Sequence, residues 1–379
     1  MNVAVLFGGR SPEHDVSLAS AAQVFHHLDR DRWRVWPVHL DRDGAWWPRR
    51  LPLQPGEAWS AGEHRLSVGP LRPGAALDWL LGTAQVQAVL PVLHGPFGED
   101  GTVQGMCELH DVPCVGSGCA ASAVAMDKLR TREALQQAGV PVARAYLPTA
   151  PLQRALAEVE FERLRQQIGL PAFVKLDASG STVGVHRVTT VDELRTFLTS
   201  YGGRFRRWFA EQALVGEEIT VAVLGNTGDE LQALTPVGIY PRVDTWFTHA
   251  AKYLPNASEE LVPPRGWTAS RIAEVQALAL RCHEALVCDG MSRTDMIVTA
   301  DGPFVLETNT LPGMTTTSLL PKAAAYDGIA FSALLDRLLE LALQRAAASR
   351  RAAPGASSSG AARTNAAATP APVANRAGA

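Results

Sequence analysis

The chain reads as a mixed α/β and α+β protein, and three stretches say so. Residues 3–7 form an apolar run that breaks into Gly8-Gly9, after which Ala21, Val24, Phe25 and Leu28 fall at helical spacing; strand, glycine turn and helix in that order make a parallel α/β unit. Far downstream, two apolar-rich runs flank Ala300-Asp301-Gly302-Pro303, the composition of a β-hairpin turn between antiparallel strands. Between them, Ala172-Phe173-Val174-Lys175-Leu176 is a strand with a lysine in it, followed by the small-residue loop Asp177-Ala178-Ser179-Gly180-Ser181-Thr182-Val183-Gly184.

At 379 residues the chain is long enough for two or three domains. Its 35 Lys+Arg against 38 Asp+Glu leave a net charge of −3, which argues against a nucleic-acid partner and for a small molecule. Cys107, Cys114, Cys119, Cys282 and Cys288 are odd in number and contain no C-x-x-C pair, so they read as reduced core thiols of a cytosolic protein. The N-terminus lacks a basic leader, and no apolar run approaches bilayer length, so neither a signal peptide nor a membrane partner is expected.

In the first unit, residues 34–40 give the next strand, 46–73 an irregular excursion, and 86–93 a buried strand that ends in His94-Gly95-Pro96-Phe97-Gly98-Glu99-Asp100-Gly101; residues 103–109 then take helical spacing. Ligands of parallel sheets sit at the carboxyl ends of strands, where His94, Glu99 and both glycine turns lie. His94 by itself reads more readily as a structural histidine bonded to backbone.

Residues 120–138 are expected to be one helix carrying Lys128, stopped by Gly139-Val140-Pro141, and 158–168 another. Lys175 is costly to desolvate without a counter-charge, and the adjoining loop of N–H and hydroxyl donors suggests a phosphate chain, although no Walker A motif is present. Residues 208–214 and 218–224 read as strands joined by Val215-Gly216-Glu217, residues 243–264 as a long polar loop, and 268–287 as a helix. From residue 346 the composition turns to Ala, Ser, Gly, Pro and Arg, which reads as a disordered tail, 346–379.

If the hairpin is centred on Asp301, Asp295 stands opposite Glu307 and Arg293 opposite Asn309, all on one face, with Met296, Val298 and Leu306 on the other. Facing carboxylates repel, so a cation belongs between them, and two carboxylates with an Asn carbonyl suit Mg²⁺ when phosphates complete the shell. A solvent-facing polar strand edge would show the same pattern.

With these pieces placed, the sequence resembles the D-alanine–D-alanine ligase family of the ATP-grasp superfamily. His94-Gly95-x-x-Gly98-Glu99-Asp100-Gly101-Thr102-x-Gln104-Gly105 looks like its first signature, and Arg293-x-Asp295 … Glu307-x-Asn309-Thr310-x-Pro312-Gly313-Met314-Thr315 like its second. The resemblance implies an ATP-grasp fold behind a Rossmann-like substrate domain, divided 1–122, 123–214 and 215–345.

It further implies a cytoplasmic enzyme, a homodimer in most members, that joins two D-alanines for peptidoglycan at the expense of ATP with two Mg²⁺ or Mn²⁺ ions. In that scheme Asp295, Glu307 and Asn309 hold the metals, and Lys128, Lys175 and the 180–184 loop meet the phosphates. Glu211, Leu214 and Glu218 line the adenosine pocket. Glu13, Ser181 and Tyr253 handle the first D-alanine, Arg293 and the Gly313 N–H an oxyanion, and Lys252 and Ser318 the phosphate or a carboxylate. Tyr253 is associated with the dipeptide product rather than a D-lactate one; a ligase with D-lactate, D-serine or another amino acid as acceptor, and a catalytically silent nucleotide-binding module, are the rivals. Gln212, Ser179, Thr294, Thr308 and Thr248-His249-Ala250 depart from the usual residues.

Overall fold

The computed structural model of the chain describes every residue except 58, 60–62, 149–150, 153–154, 178–183, 204, 206, 243–257 and 353–379. The first sheet holds β1 (Asn2–Gly8), β2 (Arg34–Leu40), β3 (Trp46–Pro48) and β4 (Ala88–Val92) in the order β3-β2-β1-β4. β1 pairs in parallel with β2 and β4, and β3 is an antiparallel edge. Val3, Val5 and Phe7 pack with Val24 and Phe25 of helix His14–His27 and with Leu334 and Leu338 of helix Phe331–Ala352. Ala4 and Leu6 pack with Leu80 and Val103 of helices Pro73–Gly82 and Thr102–Leu109. Helices on both faces are why β1 is apolar without alternation.

The second sheet, β5 (Ala145–Tyr146), β6 (Ala172–Leu176), β7 (Val185–Val188) and β8 (Trp208–Gln212), is antiparallel in the order β5-β8-β6-β7. The third contains β9 (Glu217–Leu224), β10 (Gln232–Ala233), β11 (Val237–Pro241), β12 (Ser258–Leu261), β13 (Met291–Thr299) and β14 (Gly302–Asn309), in the order β12-β11-β9-β13-β14 with β10 beside β9. One face of β9 and β13, Ile219, Val221, Val223, Met296 and Val298, packs on Val275, Leu278 and Ala279 of helix Ala269–Ala285. The opposite face begins with Ala222 and Leu224 in the core shared with β1 and ends in polar residues. That polar end is where the site lies.

Several expectations change. Residues 120–138 are two helices, Cys119–Met126 and Lys128–Gln137, because Asp127 adopts an extended backbone and its carboxylate accepts from the Leu129 and Arg130 N–H groups, capping the second helix. Residues 208–214 and 218–224 enter different sheets, and Val215-Gly216 is the crossover; a Cβ on Gly216 would fall 2.4 Å from the Val298 carbonyl oxygen. Helices Pro73–Gly82 and Val191–Tyr201 were not anticipated, although the Thr190/Glu193 capping box announces the second. The last helix continues to Ala352, past the expected start of the tail, because Arg345 donates to the Cys114 and Gly116 carbonyls and Arg350 to that of Asp111. Among the described residues, no helix is long and apolar enough to cross a membrane.

Leu338 is fully buried where the last helix meets the first sheet. Leu338→Ala should lower unfolding free energy in urea by about 2–5 kcal/mol, the range for a truncated core leucine. A loss under about 1 kcal/mol would show that this helix is not part of the core.

Candidate active site

The β13–β14 ladder pairs Arg293 with Asn309, Thr294 with Thr308 and Asp295 with Glu307. On the other side of β13, Arg293 faces Ala222, Asp295 faces Thr220, and Ile297 faces Glu218. Residues directly opposite share a face, so Glu218, Thr220, Arg293, Asp295, Glu307 and Asn309 form one polar surface across three strands. Beneath it, Thr294 and Thr308 are buried and share a hydroxyl–hydroxyl hydrogen bond of 3.1 Å, so each of these two unusual threonines satisfies the other.

The hairpin is not centred on Asp301. Its turn is Ala300-Asp301 between Thr299 and Gly302, and a β-bulge between Asp295 and Met296 shifts the register back. Leu306 is the extra residue. It joins Ile297, Asp295 and Glu307 in a cavity wall instead of facing the core with Met296 and Val298, while Val305 takes the core position.

Each carboxylate already has cationic company. Arg293 donates from Nε and Nη2 to the two oxygens of Asp295 at 2.9 and 2.8 Å, and Thr220 Oγ1 donates to Asp295 Oδ1 at 2.6 Å. Lys128 Nζ donates to Glu307 Oε2 at 2.7 Å. Burial disfavours the charge on Arg293 and on Lys128, yet Asp295 and Glu307 outweigh it and hold both more firmly protonated than usual. Lys175 Nζ donates to Glu211 Oε2 at 2.5 Å, and Arg132 Nη1 donates to Glu211 Oε1 at 2.9 Å, so the counter-charge of the strand lysine is a protein carboxylate.

These groups line two adjoining cavities that share Glu218, Asp295 and Glu307. Lys128, Lys175, Glu211 and Leu214 border the narrower one, between the second and third sheets. Glu13, Arg293, Asn309, Gly313 and Ser318 border the wider one, a space of about 620 Å³ reaching the first sheet. Gly313 sits against Ser318, whose Oγ would be 2.7 Å from a Cβ there, and the Thr315 N–H donates to that Oγ at 2.9 Å. Ser181, Lys252 and Tyr253 lie outside the described residues, as do Ser179, most of the 180–184 loop and Thr248-His249-Ala250.

The first sheet contributes its two carboxyl-end turns. The second turn ties itself down: the Gly95 N–H donates to Glu99 Oε2 at 2.7 Å, the Phe97 N–H to Asp100 Oδ2 at 2.8 Å, and Gln104 Nε2 to the Gly98 carbonyl at 2.7 Å. Gly95 must lack a side chain, since a Cβ would fall 2.9 Å from Glu13 Oε2. His94 is bonded to Ser20 Oγ at 3.4 Å through Nε2, and burial lowers its pKa and keeps it neutral. Its recorded partner is thus a side chain, not the backbone.

Thr220, Arg132 and Ile297 were not anticipated. Strand alternation from Glu218 and Asp295 would have found Thr220 and Ile297, and the i, i+4 spacing from Lys128 would have found Arg132. Among the described residues, no three His, Cys, Asp or Glu side chains converge as a metal cage. The available donor set is two carboxylates and the Asn309 amide on one surface, which fits a hard cation that takes its other oxygens from a bound phosphate.

Glu99 generates a pH prediction. Enclosure in the cavity wall, helped by the charge of Glu13, raises its pKa from 4.5 to about 8. A carboxyl with a raised folded pKa contributes stability that is complete below about 4.5 and is lost as pH rises through about 8. Glu99→Gln should therefore flatten the decline of the urea midpoint across that window; an unchanged slope would mean that Glu99 is ionised in the folded protein.

The chain is also similar to known proteins over most of its length. A family model described as "D-ala D-ala ligase N-terminus" matches residues 2–117, and "D-ala D-ala ligase C-terminus" matches 134–340. The D-alanine–D-alanine ligase of Syntrophobacter fumaroxidans is 40% identical over 345 residues, covering 91% of this chain and 98% of that protein. Among solved structures, the D-alanine–D-alanine ligase of Coxiella burnetii superposes with a TM-score of 0.73 at 27% identity, covering 93% of this chain and 96% of that one. That of Bacillus anthracis complexed with ATP gives 0.69 at 27%, covering 92% and 99%. The chain belongs to the D-alanine–D-alanine ligase family, whose members with solved structures share its ATP-grasp fold.

Proposed function

We propose that the chain joins two D-alanines into D-alanyl-D-alanine at the expense of ATP, through a D-alanyl phosphate, to supply peptidoglycan precursors. The observation that carries this reading is the single polar surface on β9, β13 and β14, where Asp295 and Glu307 stand opposite each other beside the Asn309 amide and are met by Arg293 and Lys128. Family membership and the ATP-bound relative support it. A cytoplasmic homodimer, divided into domains at 1–122, 123–214 and 215–345, is part of the same proposal.

Asp295, Glu307 and Asn309 would hold Mg²⁺ or Mn²⁺, two ions in all. When bound, the ions would neutralise phosphate charge and orient it in line with an attacking carboxylate. Lys128 and Lys175 are pinned at Glu307 and Glu211, so each side chain would exchange a carboxylate oxygen for a phosphate oxygen. The apolar walls from Leu214, Phe173, Ile297 and Leu306 suit a nucleotide base. Glu13, across the wider cavity, would receive the ammonium of the first D-alanine. In the first step a carboxylate oxygen of that D-alanine bonds to the terminal phosphorus and ADP leaves. In the second, the amine of the other D-alanine attacks the carbonyl and phosphate leaves. Arg293 and the Gly313 N–H would stabilise the negative oxygen formed in between, where losing one donor typically costs roughly 3 kcal/mol of barrier. Ser318 would meet the second carboxylate, and Ser181, Lys252 and Tyr253 would complete the enclosure that keeps water from the acyl phosphate.

A phosphate-release assay with ATP, Mg²⁺ and a panel containing D-alanine, D-serine, D-lactate and L-amino acids tests the substrate. D-alanine alone should sustain turnover with one dipeptide per phosphate; no turnover with it would refute the proposal. Glu307→Gln should lower the rate by at least about a hundredfold; a rate near that of the unaltered chain would remove Glu307 from the metal site. Chelation should stop the reaction and Mg²⁺ or Mn²⁺ restore it, and activity that survives chelation would remove the metal role.

A further inference from the structure

A second cavity, of about 320 Å³, lies behind the turns that face the catalytic space. Among the described residues, His94 lines both it and the wider catalytic cavity. Its walls are Leu40, Trp46, Leu93, Val103 and Met106, and the first four are buried apolar side chains of the first domain's core. A partly open, largely apolar slot of this size is suited to an aromatic or branched aliphatic side chain.

The rim is of a different character. It carries Arg10 and Asp43, both exposed and of opposite charge. Among the described residues neither makes an ion pair, with the other or with any other side chain. They are held close: a Cβ on Gly44, next to Asp43, would fall 2.8 Å from Arg10 Cδ. The Arg10 guanidinium instead lies 4.5 Å over the ring of Phe97. Phe97 is a non-glycine residue at φ +66° with 45% of its surface exposed at the mouth of the slot. A strained, exposed aromatic beside an apolar cavity is a feature that a bound molecule would explain.

We infer that this cavity is a binding site for a free α-amino acid with a large apolar side chain, its carboxylate on Arg10, its ammonium on Asp43 and its side chain in the slot under Phe97. One cation and one anion beside an apolar pocket match a zwitterion and disfavour a purely anionic or cationic ligand, for which one rim charge would be repulsive. The site has consequences for the catalytic space because one turn separates the two. That turn contains Phe97 and also Gly95, which bonds Glu99 and makes room for Glu13. An occupant that moves Phe97 therefore alters the affinity of the first amino-acid subsite, and by reciprocity the substrate alters the affinity of the occupant.

Isothermal calorimetry on the full chain tests the binding claim without relying on turnover. The probes are leucine, methionine and phenylalanine in both enantiomers, with glycine as control, each titrated with ADP present and with and without saturating D-alanine. At least one apolar amino acid should bind where glycine does not, and phenethylamine and phenylpropionate, each lacking one charge, should bind more weakly than phenylalanine. Arg10→Gln and Asp43→Asn, both surface changes, should each weaken binding by at least about tenfold. Three results would overturn the inference: no heat with any probe, equal binding in both variants, or binding abolished by saturating D-alanine, which would place the amino acid in the catalytic cavity.

Discussion

Asp295 and Glu307 stand face to face across an antiparallel ladder, and the rest of the site follows from what that pairing costs. Unit charges ~5 Å apart in an effective dielectric of ~20 repel by about 3 kcal/mol. Arg293 from the same strand and Lys128 from the start of a helix offset this. Burial of the two cations is outweighed by the two carboxylates they meet. A metal cation or a phosphate that enters this surface therefore finds its partners already paired. Both kinds of ligand have a partner ready to release, a carboxylate for the cation and a lysine for the phosphate.

The same interaction joins the domains. Lys128 begins a helix whose cap is Asp127, and Arg132, one turn later, reaches Glu211 on β8 together with Lys175 on β6. The chain from Glu307 through Lys128 and Arg132 to Glu211 thus connects the third sheet to the second by ion pairs that border the nucleotide-sized cavity. On the other side, Ser20 accepts from the Met314 N–H at 3.3 Å and contacts His94, which ties the loop after β14 to the first sheet. The second and third sheets are thus joined by charge, and the first is joined to them by this hydrogen bond.

Much of this was legible in the sequence because charge pairing survives errors of register. The hairpin centre was misplaced, yet Asp295 still met Glu307, since the bulge at Leu306 returns the ladder to the register that the polar residues need. What failed was Leu306 itself, whose face depends on a bulge that alternation cannot reveal. The helix break at Asp127 failed for a similar reason: the apolar spacing continues through it, and only the capping preference of Asp separates the two helices. Lys175 was read as needing a phosphate, but Glu211, distant in sequence, supplies its charge first. The last helix ran past its expected end because Arg345 and Arg350 find carbonyls at the edge of the first domain, a long-range contact that composition does not show.

The central claim is that the facing carboxylates exist to grip a divalent ion. Anomalous diffraction at the manganese edge, from crystals grown with ADP and Mn²⁺, tests it most directly. Peaks should appear within coordinating distance of Asp295, Glu307 and Asn309, with Lys128 moved off Glu307 toward phosphate oxygen. Peaks elsewhere, or none with Lys128 and Arg293 still seated on the two carboxylates, would contradict it.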